Sequence, residues 1–192
     1  MNKLETTNQS EIEKVMKKVY YEFDTAVSYK IWVKNFALNL ENIWKEKSAK
    51  KLTGNTVSDT AIVIGRGPSL KNHDHLNKLK SSNYNGAIVC TDGALITALK
   101  AGITPDRFPE FYVVTVDPRS ETIKFYNDKI INKYHGKIKG IFSTVSNPDT
   151  VKKARESGIE IFWFHSLVDY NEGEKSFNQI SALMTRAKNH EN

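Results

Sequence analysis

From residue 60 onward, short unbroken apolar runs alternate with stretches in which apolar positions recur every three or four residues. The runs occupy residues 61–64, 87–90, 111–116, 138–142 and 159–164. A strand with no polar alternate is buried on both faces, as happens where helices cover a parallel sheet. The intervening segments 73–81, 92–100, 121–134, 149–157 and 175–188 carry the helical period. Strand–helix alternation repeated this often predicts an α/β fold with a doubly wound, mainly parallel sheet.

The first fifty residues have a different texture. Ser10 with Glu13 forms a capping-box pattern, followed by Ile12, Val15, Met16, Val19 and Phe23 on one helical face. The face resumes at Val27, Ile31, Phe36, Leu40 and Ile43, with Trp32 and Trp44 beside it. Asp24 can cap a second helix, so the region is one bent helix or two. Burial of Ile31, Phe36 and Leu40 is expected. The Lys-rich stretch 45–51 and the polar stretch 53–59 read as a linker. The division predicted is an N-terminal helical region over residues 1–52 and an α/β domain over residues 57–192.

In an open parallel sheet, ligands sit beyond the carboxyl ends of the strands, so chemistry is sought just after each apolar run. The first run leads into Gly65-Arg66-Gly67-Pro68-Ser69-Leu70. Glycines let the backbone turn sharply and approach a ligand with no Cβ in the way. Pro68 suits the start of a helix, and Ser69 offers a hydroxyl. Backbone N–H groups at a helix start favour an anion, and Arg66 can add a fork of donors. The absence of Gly-Lys-Ser/Thr excludes a P-loop, and Leu70 stands where a dinucleotide fingerprint wants its third glycine. The turn therefore points to the phosphates of a nucleotide or a nucleotide-activated substrate.

The second run ends at Asp92, which either accepts a ribose or base hydrogen bond or caps the helix behind it. Asp106, in the connection Gly102-Ile103-Thr104-Pro105-Asp106, either holds its loop or faces the ligand. The third run ends in Val116-Asp117-Pro118. A carboxylate there suits Mg²⁺ on a diphosphate, because Mg²⁺ binds through one or two carboxylates and substrate phosphates. Its structural alternative is an Asp that shapes the turn before proline. His73 and His75 are one residue apart, which on a helix turns them to different faces and argues against a metal pair. Trp163, Phe164, His165, Asp169 and Tyr170 follow the fifth run and form either an acceptor pocket or core. Ser69 lacks the residue pattern of a nucleophile elbow.

Bulk properties narrow the partners. Lys and Arg total 28 against 22 Asp and Glu, and the net charge of +6 favours an anionic partner. The excess lysines are scattered among Asn, Glu and Asp, with no basic stripe interleaved with aromatics, so nucleic acid is not expected. A single cysteine, Cys90, cannot form an internal disulfide and sits in an apolar run as a small buried hydrophobe. No apolar run approaches the roughly 20 residues of a membrane helix, and residues 1–10 lack a signal peptide's apolar stretch. A cytoplasmic protein is expected, with a homo-oligomer compatible with the sequence.

Four ordered blocks carry a family resemblance: Ile64 with the turn through Leu70; Asp92-Gly93-Ala94-Leu95; Leu99-Lys100-Ala101-Gly102-Ile103-Thr104-Pro105-Asp106; and Val114 through Pro118. Together they resemble the MptE-like family, which includes archaeal 6-hydroxymethyl-7,8-dihydropterin pyrophosphokinases and bacterial motility-associated factor glycosyltransferases. The likeness runs from about residue 32 to the C-terminus and is densest between residues 61 and 118. A similar turn occurs in one group of bacterial sialyltransferases that use a cytidine-activated sugar.

The resemblance implies a Rossmann-like sheet with a nucleotide at the glycine turn. In the pterin branch it implies ATP as substrate and Mg²⁺ as cofactor, Asp117 as the metal-side carboxylate, and Asp92 or Asp106 orienting the acceptor. The sugar-transfer branch would need a general base, for which His165 is the candidate. A non-catalytic nucleotide-binding module is the remaining alternative. Family members carry a further Gly-Gly-Asn-Val-Gly block, which does not occur before Asn192, so part of the expected site is looked for outside these residues.

Overall fold

The apolar runs assemble as their patterning demands. A computed structural model of the protein describes residues 26–54, 58–166 and 176–190. Strands β2 (Ala61–Ile64), β3 (Ala87–Thr91), β4 (Phe111–Thr115), β5 (Lys139–Ser143) and β6 (Glu160–Phe164) lie side by side, each parallel to the next. A two-residue strand β1 (Lys47–Ser48) pairs in parallel with β6. The sheet order is β1-β6-β5-β4-β3-β2, so the chain first crosses the whole sheet and then winds back one strand at a time. This is a Rossmann-like, doubly wound α/β fold.

Helices fill the crossovers. Helix α1 (Ala26–Lys45) precedes β1; α2 (Ser69–Asn72), α3 (His75–Ser81), α4 (Asp92–Lys100), α5 (Lys129–Asn132) and α6 (Pro148–Glu156) lie between strands; and α7 (Phe177–His190) follows β6. Helix α6 starts by rule: Asn147 accepts from the N–H groups of Asp149 and Thr150, and Pro148 occupies the first turn. The segment 121–134, expected as one helix, is a 3-10 helix over Ser120–Tyr126 followed by α5. The break falls where Asp128 caps α5 by accepting from the Ile130 N–H at 3.0 Å.

The two faces of the sheet differ. On one, Ile64, Ile88, Cys90, Phe111, Val113, Phe142, Ile161 and Trp163 are all buried against Leu95, Ala98, Ile131, Val151 and Ala154. Burial pushes the Cys90 thiol up to about 12, so it acts as an inert apolar side chain. On the other face, Val63 of the edge strand is 70% exposed and Val89, Val114 and Ile141 are only half-buried.

Helix α1 departs from its expected face. Phe36 and Ile43 are buried and Ile31 and Leu40 half-buried, and the polar Asn35 and Asn39 are buried beside them. Asn35 Nδ2 donates to the carbonyls of Pro118 at 2.8 Å and Val145 at 3.0 Å. Asn39 Nδ2 donates to those of Ser146 at 2.8 Å and Thr144 at 3.2 Å. Four carbonyls at the ends of β4 and β5 are thus satisfied by one helix, the condition for burying irregular backbone. Phe177 of α7 packs edge-on against Phe36 with ring centroids 5.2 Å apart.

The stretch read as a linker is structured at residues 47–52, where β1 adds to the sheet and a 3-10 turn (Ala49–Leu52) follows. Glu46 accepts from Trp163 Nε1 at 2.8 Å and from Arg155 Nε at 2.6 Å, tying the end of α1 to β6 and α6. The sheet therefore spans the sequence boundary drawn near residue 52. The capping pattern at Ser10 and Glu13, the apolar face from Ile12 to Phe23, and Asp169 and Tyr170 lie outside the described residues.

Candidate functional site

Because every strand is parallel, the residues that follow β2, β3 and β4 emerge on one rim. Arg66, Asp92 and Asp117 line a single cavity of about 480 Å³ there, with Thr91, Gly93, Arg119, Glu121, Thr122, Lys124 and Phe125. Asp106 is not among them. It precedes β4 instead of following a strand, which puts it at the amino-terminal rim, and it pairs there with Lys137 at 2.6 Å. Asp106 therefore takes the loop-holding role and lies away from the cavity where an acceptor would be oriented.

The glycine turn differs from expectation in its mechanics. Neither Gly65 nor Gly67 has a positive φ, so neither is required by a left-handed backbone. A Cβ at Gly65 would meet nothing within 4 Å, and one at Gly67 only Ser69 Oγ at 3.6 Å. Neither conformation nor internal packing demands glycine here. What remains is space left for something outside the chain. Among the described residues the N–H groups of Arg66 and Gly67 donate to no protein acceptor, while Gly67 and Pro68 carbonyls accept from Leu70 and Lys71. The helix behind the turn, α2, has only four residues, so its dipole adds little to the anion site.

Arg66 is held across the cavity wall. Its guanidinium carbon lies 5.2 Å from the Phe125 ring centroid, in cation–π range. A methyl group at position 93 would stand 2.6 Å from Arg66 Cδ, so Gly93 makes room for the arginine stem. Here the glycine has a packing reason, and that reason is the positioning of a cation.

The two carboxylates sit in contrasting environments. Asp92, at the start of α4, accepts from the Gly93 N–H at 2.6 Å. Desolvation raises its pKa and outweighs the opposing Gly93 N–H hydrogen bond; the lesser charges of Asp117 and Arg66 push up and down respectively. Asp117 is shifted down, first by its hydrogen bond to the Arg119 side chain. Its Oδ1 accepts from Arg119 Nε at 2.9 Å and its Oδ2 from Nη2 at 2.6 Å.

These groups fit a hard divalent cation on oxygen ligands. Asp92 is a partly buried carboxylate disfavoured as an anion, with a second carboxylate close enough to worsen it. Thr91 Oγ1 beside it is buried with no hydrogen-bond partner. No group of three or more His, Cys, Asp or Glu among the described residues can hold a metal alone. Two carboxylates completed by phosphate oxygens match the way Mg²⁺ is bound.

His165, the candidate base for sugar transfer, is elsewhere. It follows β6, and both ring nitrogens are engaged, Nε2 with Thr185 Oγ1 at 2.7 Å and Nδ1 with Thr144 Oγ1 at 3.2 Å. Burial lowers its pKa. Trp163 is core, 3% exposed. The His73 and His75 rings meet at a tilt of 47° with centroids 5.5 Å apart and form no metal group among the described residues. Ser69, Pro68 and Leu70 hold the turn, with Leu70 packed on the core. On the turn's other side, a largely apolar cavity of about 600 Å³ is lined by Gly65, Gly67, Ser69, Leu70, Leu79 and Tyr84. Sequence reading missed Arg119, Phe125 and Gly93, although the spacing Asp117-Pro118-Arg119 carries the signal of an Asp bonded two residues onward.

Fold and rim together define a Rossmann-like α/β protein with a two-carboxylate, arginine-lined cavity beside a glycine turn. The family described as 6-hydroxymethylpterin diphosphokinase MptE-like matches residues 34–186. The chain belongs to the MptE-like family. No curated protein and no solved structure matches it. Among the described residues, no helix is long and apolar enough to cross a membrane.

Proposed function

We propose that the protein is a Mg²⁺-dependent diphosphotransferase that moves a diphosphoryl group from ATP to the hydroxymethyl of 6-hydroxymethyl-7,8-dihydropterin. The family description supports the reaction class. The observation that carries the reading is the meeting of Asp92, Asp117 and Arg66 at one cavity. Carboxylates for the metal and an arginine for phosphate oxygens are the groups that hold a triphosphate with its metal.

In this reading, the free N–H groups of Arg66 and Gly67 and the Arg66 guanidinium hold phosphate oxygens. Asp92 and Asp117 would hold the metal, which would supply screening of phosphate charge when bound. The acceptor hydroxyl oxygen forms a bond to the β-phosphorus, the bond from that phosphorus to the bridging oxygen breaks, and AMP leaves with that oxygen. The hydroxyl proton passes to solvent. The protein's own contribution is positioning and charge complementarity, the main levers in phosphoryl transfer. The apolar cavity sharing Gly65, Gly67 and Ser69 offers a desolvated seat for the pterin ring.

The experiment is AMP release from ATP in the presence of the reduced hydroxymethylpterin and Mg²⁺, beside the same assay with CTP, GTP and nucleotide sugars. Acceptor-dependent AMP formation supports the reading. Turnover of a nucleotide sugar without AMP release from ATP overturns it.

A further inference from the structure

We infer that Arg119 is a second phosphate ligand of this site, held on Asp117 until a metal-bearing phosphate displaces it. This rests on the metal reading of Asp92 and Asp117. Both oxygens of Asp117 are covered by the guanidinium, through Nε to Oδ1 at 2.9 Å and Nη2 to Oδ2 at 2.6 Å. A cation approaching that carboxylate meets a positive charge already in place. While the fork stays, it occupies a lone pair on each Asp117 oxygen and its charge opposes a metal there.

The pair is built to open. The Arg119 side chain is 70% exposed and that of Asp117 29%. An ion pair open to solvent shifts an equilibrium by only about two- to five-fold. The Arg119 backbone N–H also donates to Oδ1 at 2.9 Å. When the side chain leaves, this bond keeps the carboxylate aimed at the rim. Arg119 lines the same cavity as Arg66 and Asp92, so a phosphate bound there is within the cavity the released fork faces. Arg–phosphate pairs are bidentate in the same way as Arg–carboxylate pairs, which makes the exchange one of like for like.

A selectivity follows. Metal alone must evict Arg119 with nothing to receive it. Nucleotide alone can take Arg119 only by leaving Asp117 bare beside phosphate charge. Metal and phosphate together satisfy both residues. The site thus favours the metal-loaded phosphate over either component.

The test uses the full chain, Mn²⁺ as probe for Mg²⁺, and free Mn²⁺ followed by electron paramagnetic resonance with and without ATP. Wild type is compared with Arg119→Ala, Arg119→Lys and Asp117→Asn. Arg119→Ala is expected to bind Mn²⁺ alone about two- to five-fold tighter and Mn²⁺–ATP about tenfold weaker. Arg119→Lys should fall between wild type and Arg119→Ala for Mn²⁺–ATP, since it keeps the charge and loses the fork. If Asp117→Asn weakens Mn²⁺ binding but Arg119→Ala leaves both affinities unchanged, the exchange is wrong and the metal site stands. If Asp117→Asn binds Mn²⁺ like wild type, the metal reading fails and takes this inference with it.

Discussion

Asn35 donates a 2.8 Å hydrogen bond to the carbonyl of Pro118, one peptide beyond Asp117. A helix remote in sequence from the site thereby fixes the loop that carries Asp117. The same amide reaches Val145 at 3.0 Å. Replacing Asn35 by Ala strands two carbonyls, one of them in a fully buried bond. Each orphaned buried group costs about 1–3 kcal/mol. Chemical denaturation of Asn35→Ala should show a loss in that range, and metal-dependent ATP binding should weaken as the Asp117 loop loosens. Unchanged stability would mean that α1 is only appended to the rim.

Asp92 and Asp117 should respond to pH in opposite senses. The raised pKa of Asp92 means its stabilising contribution is present below the unfolded carboxylate value and is lost as pH rises through the folded one. The lowered pKa of Asp117 gives a contribution present above the unfolded value and lost as pH falls through the folded one. At neutral pH, without ligand, Asp92→Asn should therefore raise the melting temperature and Asp117→Asn should lower it. The Asp117 change is of the order of 1–3 °C, given the exposure of its Arg119 partner, and the Asp92 change, set by partial desolvation, is of about the same size. Shifts of the same sign would contradict the two environments described.

Gly93 separates stability from binding. Alanine there pushes on Arg66 Cδ, the flexible part of a side chain, so the fold can yield. Alanine also favours the first turn of α4 by up to about 1 kcal/mol over glycine. Gly93→Ala should keep or slightly raise the melting temperature while weakening ATP binding about tenfold, an order typical of a displaced charged hydrogen bond. Isothermal titration calorimetry beside thermal denaturation distinguishes this from a merely structural glycine, for which stability would fall first.

Much of the fold was legible because strands buried on both faces leave unbroken apolar runs. Ala61–Ile64 is matched residue for residue, and the other four runs agree within about one or two residues at each end. β1 was invisible: Lys47 and Ser48 form an edge of two polar residues paired on one side only. Asn35 and Asn39 were missed because a hydrophobic pattern cannot flag a polar residue buried to satisfy backbone carbonyls. The meeting of Asp92 and Asp117 at one rim was legible because each acid follows a strand. Of the two roles open to Asp106, holding its loop and facing the ligand, the structure shows the first, because that acid follows a helix and lies at the opposite rim. Arg119 and Phe125 belong to the cavity through the 3-10 segment after β4, whose course no periodicity shows.

On the proposed function, the glycine turn and the two carboxylates bind metal-loaded nucleotide phosphate as one site. Gly65 tests it cleanly, because a Cβ there touches nothing in the protein and the backbone conformation tolerates alanine. The decisive measurement is calorimetric titration of ATP, with Mg²⁺ and with chelator, into wild type, Gly65→Ala and Asp92→Asn, each shown to melt as a folded protein. The account predicts saturable, Mg²⁺-dependent binding to wild type and at least about tenfold weaker binding to both variants, consistent with loss of a charge-assisted contact or of backbone approach. ATP binding that is equal in all three proteins, or indifferent to Mg²⁺, would contradict it.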